Sequence, residues 1–223
     1  LLVLYFTACA LQTNDKSSEK SEKFAFSFSE KYIGLEKNRT FQWLGIPYAQ
    51  APVGSLRWKA PRSLENENDQ VKAIEFSNPC PQVESISIDK KGEGEFLGSE
   101  DCLFLNIFAP KNISSDKKLP VMFWIHGGGN TSGEAGSYDF SKLAAAHDLV
   151  IVSINYRLGF LGWFYHPSFA ATSNDQGDKS GNFGTLDQIM ALKWVRKNIE
   201  DFGGDKNNVT CLLYTSPSTR DDT

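Results

Sequence analysis

No stretch of this 223-residue sequence reaches the roughly 18 consecutive apolar residues of a membrane-spanning helix. Cationic excess is missing too. The formal charge is −4, and no basic stripe interleaved with aromatics is present, which argues against a nucleic-acid partner. No internal repeat recurs, so a solenoid is excluded. Histidine occurs three times and cysteine four times, and nothing in their placement asks for a metal or an organic cofactor. No glycine follows Gly204. What remains is an ordinary globular composition, 40% hydrophobic and 13% aromatic, long enough for one sizeable core.

The apolar residues sit first at the start. "LLVLYFTACA" (1–10) stops abruptly at the polar "LQTNDKSSEKSEK" (11–23), as the end of a secretory hydrophobic segment does before a disordered tether. Two variants stand side by side. One is a cleaved signal peptide. The other is a lipoprotein signal in which "FTAC" presents Cys9 for lipidation, with Phe6 where leucine is usual. Both imply export, either as a periplasmic or outer-membrane lipoprotein or as a secreted protein. Cys80 and Cys102 are the two cysteines of the globular part before the chain's last residues. They could be a pair closing a loop or two unconnected thiols, and an exported chain favours the pair.

From about residue 24 to 210 the pattern is that of an α/β domain. "FAFSF" suits a short strand, and three apolar β-rich runs follow: "CLFLNIFA", "PVMFWIH" and "DLVIVSINY". The last two are almost continuously hydrophobic, as strands covered on both faces are. "YDFSKLAAAHD" between them has helical character, giving the strand–helix–strand alternation of a mostly parallel sheet flanked by helices. "ESISIDKKGEGE" reads as a surface loop. A long helix is predicted over 185–201, opened by a capping box of Thr185 and Gln188 and closed by Gly203 and Gly204. Its apolar residues spread beyond one stripe, which predicts packing between layers.

Three consecutive glycines, Gly127 to Gly129, follow the strand "VMFWI" and His126. A phosphate cradle would need G-x-G-x-x-G, or G-x-x-x-x-G-K-S/T, running into a helix; neither pattern is there. The other use of exposed backbone N–H groups is to accept the negative charge that acyl transfer places on a carbonyl oxygen. Glycines let such donors approach the substrate without a Cβ in the way. An H-G-G-G turn after an early strand has that meaning in esterases and lipases.

Beyond this motif, "WLGIPYAQAPVGSLR" (43–57), "SEDCLFLNIFAP" (99–110), "SINYRLGFLGWF" and "GNFGTLDQIMALKWVRKNIEDFGGD" occur in one order along the chain. Together with "HGGG" they resemble the type-B carboxylesterase and cholinesterase-like family of the α/β-hydrolase fold. The resemblance covers nearly all of the globular part. It implies oxyanion donors at the backbone of Gly128 and Gly129, with His126 and Gly127 shaping the loop rather than acting as catalytic base. It implies a Cys80–Cys102 disulfide and two buried structural ion pairs, Arg57 with Glu100 and Arg157 with Asp187. Without it, Asp187 reads as a solvated carboxylate at a helix start. It also implies a small carboxylic ester as substrate. Residues 81–101 carry no tryptophan, the residue with which cholinesterases hold a quaternary ammonium, so choline esters are not expected. Asn130 stands where an aromatic residue is usual. It is also one of four N-x-S/T sequons, with Asn38, Asn112 and Asn208.

The family's nucleophile occupies a G-x-S-x-G elbow soon after "FGGDKNNVT". "CLLYTSPSTRDDT" stands there instead, and no G-x-S-x-G occurs anywhere in the sequence. The expectation is therefore the N-terminal part of such a hydrolase, truncated before the elbow, with residues 211–223 a non-native tail. Serine, acid and histidine of the triad would all be missing, and the chain alone would be inactive. The other reading is an inert adhesion or binding protein on the same fold.

Overall fold

The computed structural model describes residues 25–29, 31–65, 69–83, 96–113 and 117–213. The leader and tether with Cys9, the surface-loop reading of 84–95, and residues 214–223 lie outside the described residues. The first three strands are β1 (Ala25–Ser29), β2 (Tyr32–Lys37) and β3 (Thr40–Pro47), joined as an antiparallel meander. Asn38 and Arg39 both take positive φ between Lys37 and Thr40. A two-residue hairpin needs that geometry to match the twist of its strands. β4 (Val71–Lys72) lies parallel to β2, while β5 (Gln82–Val83) and β6 (Phe96–Leu97) form a separate small antiparallel sheet.

The central strands are β7 (Phe104–Pro110), β8 (Leu119–Ile125) and β9 (Val150–Ile154). α1 (Ser141–His147) carries the chain from β8 to its parallel neighbour β9. The short α2 (Gly159–Gly162) and α3 (Pro167–Ala171) and the long α4 (Phe183–Asn198) lead to β10 (Gly204–Leu213), parallel to β8 on its other side. The sheet order is β1-β2-β3-β7-β9-β8-β10. This is the expected α/β architecture with a mixed sheet: parallel across β9-β8-β10, antiparallel from β1 to β9. β10 keeps register with β8 to Leu213, opposite Ile125.

Two cores sit on opposite faces. Ile151 points with Leu35, Leu44 and Phe108 toward Ala144 of α1. Val150, Val152 and Ile154 point the other way, into the larger cluster with Trp43, Phe123, Tyr156, Trp194 and Phe202. Alternation along one strand thus feeds both layers, which is why the run reads as continuously apolar. All five residues of β9 are buried.

α4 departs from expectation in two ways. It begins at Phe183 with Asn182 as N-cap, and no side-chain cap forms, so Thr185 lies inside the first turn and makes no capping box. The buried face consists of Phe183, Gly184, Asp187, Ala191, Trp194 and Val195, while Ile189 is 43% exposed. Among the described residues the helix packs on one side only. Gly203, at positive φ, closes the 3-10 turn after it, as expected of a glycine there.

Candidate functional site

The glycine loop leaves the C-terminal end of β8, between the two strands that flank it. Its first residue, His126, is buried, its ring stacked on Tyr156 with centroids 4.4 Å apart. The Tyr156 hydroxyl donates to the His126 carbonyl at 2.8 Å. Burial pushes the Tyr156 pKa up to about 12, so it remains a donor across the physiological range. Nδ1 of His126 lies 2.9 Å from the Gly127 carbonyl oxygen. A carbonyl can only accept, so Nδ1 carries the proton in this contact. Burial lowers the imidazole's pKa, outweighing that hydrogen bond, and so favours the neutral ring. Nδ1 is thus engaged and the ring is packed under the loop.

After Gly127, three consecutive residues have positive φ: Gly128 at 109°, Gly129 at 61° and Asn130 at 61°. The Gly128 carbonyl accepts from Thr131 N at 3.0 Å, Ser132 N at 3.2 Å and Thr131 Oγ1 at 3.0 Å. In a trans peptide the carbonyl and the following N–H point in opposite directions. Fixing the Gly127 carbonyl on His126 therefore aims the Gly128 N–H away from the ring. Fixing the Gly128 carbonyl on Thr131 and Ser132 likewise aims the Gly129 N–H out of the turn. Neither N–H has an acceptor among the described residues, and both glycines are exposed. A Cβ on Gly128 would overlap the Ser132 carbonyl oxygen, whereas one on Gly129 would meet nothing within 4 Å. Two backbone donors are thus directed toward open space by contacts behind them. Such an arrangement can stabilise an anion or a carbonyl oxygen acquiring charge.

Polar side chains of the neighbouring strand hold the rest of the loop. Ser153 Oγ donates to the Ala135 carbonyl at 2.9 Å, and Asn155 Oδ1 accepts from Ala135 N at 2.7 Å. Asn155 Nδ2 also donates to the Asn78 carbonyl at 3.0 Å, and Asn106 Nδ2 donates to Ser153 Oγ at 3.1 Å. Sequence reasoning passed over Ser153 and Asn155. The signal was available: two polar residues inside the otherwise apolar "VIVSINY". The Asn130 carbonyl accepts from Gly159 N at 2.7 Å, tying the loop to the start of α2.

The structural residues implied by the resemblance are found as follows. Cys80 and Cys102 form a disulfide, both buried. Asp187 is fully buried and accepts from Arg157 Nε at 2.8 Å, Nη2 at 2.7 Å and backbone N at 3.1 Å. Arg157 Nη1 also donates to the Lys59 carbonyl at 2.8 Å. Burial raises the Asp187 carboxyl pKa, and the Arg157 hydrogen bonds and charge act against that rise. A solvated helix-start carboxylate is therefore the wrong description of Asp187. Arg57 and Glu100 pair in the same two-pronged way at 2.7 Å, yet their side chains are 40% and 27% exposed. The expectation of a second buried pair is corrected: this one lies on the wall of an open cleft. That cleft, of about 510 Å³, is lined by Trp58, Gln82, Phe96, Thr131 and Phe160 among others, and reaches the glycine loop at Thr131.

Asp178, which no motif marks, accepts from Ala60 N, Arg62 Nη2 and Ser173 Oγ and fastens the loop before α4 to the segment around Ala60. Burial works to raise its pKa, but these hydrogen bonds and Arg62 hold it below the ordinary value. His147 ends α1 and His166 caps α3. Among the described residues no group of three or more His, Cys, Asp and Glu is placed to hold a metal, and no helix is long and apolar enough to cross a membrane.

Against known proteins, residues 30–214 match the model of the carboxylesterase family. The sequence is 46% identical over 183 residues to para-nitrobenzyl esterase of Bacillus subtilis, covering 81% of this chain and 35% of that protein. It is 35% identical over 219 residues to liver carboxylesterase B-1 of Rattus norvegicus, covering 94% of this chain and 38% of that one. Among solved structures, a PNB esterase superposes with a TM-score of 0.69 at 43% identity, over 82% of this chain and 36% of the other. Aspergillus niger EstA does so with a TM-score of 0.68 at 31% identity, over 86% and 35%. The chain thus spans little more than a third of the length of the relatives it matches.

Proposed function

The chain belongs to the carboxylesterase family, and from that premise we propose that the complete protein hydrolyses small carboxylic esters by a serine mechanism. Gly128 and Gly129 supply its oxyanion donors. The observation that carries this is the pair of outward-directed N–H groups, each aimed by a carbonyl held on the far side of its own peptide. When a serine oxygen attacks the ester carbon, the C=O electron pair moves onto oxygen and shortens its distance to these donors. Collapse expels the alcohol and leaves an acyl-enzyme, which water then cleaves. Each donor contributes about 3–4 kcal/mol to lowering the barrier. In this reading His126 supports the loop and another group takes the serine proton, since its ring is buried beneath the loop and stacked on Tyr156.

In this reading the nucleophile comes from outside these 223 residues, which contain no G-x-S-x-G, and the acid and base come with it. The test is hydrolysis of p-nitrophenyl acetate by the complete protein and by the 223-residue chain. Turnover by the former, blocked by a serine-directed organophosphate, is expected; the latter should release no p-nitrophenol above the buffer rate. A complete protein that is folded but without esterase activity would overturn the proposal. The reading includes export. The Cys80–Cys102 disulfide supports an oxidising compartment. Cell fractionation, with mass analysis of the mature N-terminus, distinguishes a lipid on Cys9 from a cleaved leader, and a cytosolic, unprocessed product would refute export.

A further inference from the structure

Gln82 does not appear in any motif, yet among the described residues of the disulfide segment its side chain makes the most directed contacts with the glycine loop. Its Oε1 accepts from Gly133 N at 2.7 Å, and its Nε2 donates to the Gly133 carbonyl at 2.9 Å. The primary amide thereby grips both polar groups of one glycine, as a strand partner would. Nε2 also donates to the carbonyl of Cys80 at 3.1 Å. Behind it the backbone is held twice: Cys80 is bonded to Cys102, and Gln82 pairs with Leu97 across the small sheet.

Gly133 is not a passive recipient. Its φ is 113°, and a Cβ there would overlap His126 Nδ1 and lie 2.6 Å from the Gly127 carbonyl oxygen. The Gly133 backbone is therefore pressed against the two atoms whose contact aims the Gly128 N–H. Its predecessor, Ser132, donates its N–H to the Gly128 carbonyl, the contact that aims the Gly129 N–H. Any displacement of Gly133 reaches both donors through one residue each.

We infer that Gln82 is a positioning residue, which ties the two donors to the Cys80–Cys102 disulfide and the β5–β6 pair by clamping Gly133. The inference rests on the oxyanion reading of Gly128 and Gly129. It assigns the Cys80–Cys102 disulfide a part in the reaction itself, beyond holding the chain together. Glutamine is required because only a primary amide offers an acceptor and a donor side by side; glutamate lacks the donor and methionine lacks both.

The experiment compares Gln82→Met and Gln82→Glu with the parent in the complete protein. The first readout needs no catalysis: amide hydrogen exchange resolved over residues 127–133. Gln82→Met should speed exchange at Gly133 at least about tenfold, the loss of roughly one hydrogen bond, without change in β8 and β9. Gln82→Glu should retain protection of that N–H, because a carboxylate still accepts it. The second readout is ester turnover, where Gln82→Met should lower kcat by about 10- to 100-fold, as a loosened donor pair does, with KM within about threefold. Gln82→Glu should lie between it and the parent. Unchanged exchange at Gly133, a loss confined to KM, or faster exchange throughout β8 and β9 would each overturn the inference. If the parent hydrolyses no ester, the proposed function fails, while the exchange measurement still decides whether Gln82 positions the loop.

Discussion

Two ion pairs of the same geometry and opposite burial offer a direct test of what an ion pair contributes here. Arg157–Asp187 is 3% and 0% exposed, and Arg57–Glu100 is 40% and 27% exposed. Replacing the acid by its isosteric amide removes one charge and almost no volume. In Asp187→Asn the guanidinium stays buried, with the Lys59 carbonyl as its acceptor outside the pair. A buried charge left without its counter-charge costs about 3–5 kcal/mol. With a urea slope of about 2 kcal/mol per molar, the unfolding midpoint falls by about 1.5–2.5 M. In Glu100→Gln, water solvates the Arg57 head group, and the midpoint stays close to that of the parent. Equilibrium urea unfolding at pH 7.5, followed by tryptophan fluorescence, measures both. Salt adds a control: 1 M NaCl, with a screening length of about 3 Å, should erase any small difference at Glu100 and leave the loss at Asp187. The double replacement Arg157→Met with Asp187→Leu should recover much of the loss, because no charge then remains buried. Equal losses at Asp187 and Glu100, or no recovery in the double variant, would refute the reasoning.

The glycine loop should separate steric from conformational demands. Gly128→Ala forces the loop off Ser132 and should abolish measurable ester turnover in the complete protein, while Gly129→Ala costs only about 1–2 kcal/mol of left-handed backbone strain in thermal unfolding and keeps the loop in place. Reducing Cys80–Cys102, or replacing both by serine, should destabilise the fold by about 3 kcal/mol for a loop with a sequence separation of 22, measured by urea unfolding with and without dithiothreitol. The folded-state pKa of His126 lies below the ordinary 6.5. Between those two values the unfolded chain binds a proton that the folded one refuses. Stability should therefore fall as pH drops below about 6.5, by up to about 1.4 kcal/mol per pH unit. His126→Phe should flatten that slope.

How legible all this was in the sequence differs from element to element. β8 and β9 were visible because burial on both faces writes itself as an almost continuous apolar run, and α1 because its alanines follow. Pairing direction was not: β7 has the same apolar character as β8 but runs antiparallel to β9, and side-chain pattern does not encode which neighbour a strand meets. The start of α4 was misjudged because Thr185 and Gln188 fit a capping box locally, while burial of Phe183 and Gly184 pulls two further residues into the helix. Of the candidate site, the three glycines were legible through their cost, since nothing else justifies giving up three side chains in a row. Asp187 was legible only through resemblance, because a helix-start carboxylate looks the same whether water or a buried arginine lies beside it. Gln82 was not legible, as its partner Gly133 is 51 residues away and offers only backbone.

Residues 150–156 then carry two kinds of information in alternate positions. Val150, Val152 and Ile154 fill space and Ile151 fills it on the other face, so any aliphatic residue of similar volume serves there at a cost of about 1 kcal/mol. Ser153 and Asn155 hold Ala135, and no exchange by shape alone preserves both of their roles. A library of variants selected first for folding and then for ester turnover should divide this segment accordingly. The aliphatic positions would stay variable through both selections. The serine and asparagine would narrow to themselves only at the second, marking a strand whose tolerance to change is set by packing at one residue and by the loop beside it at the next.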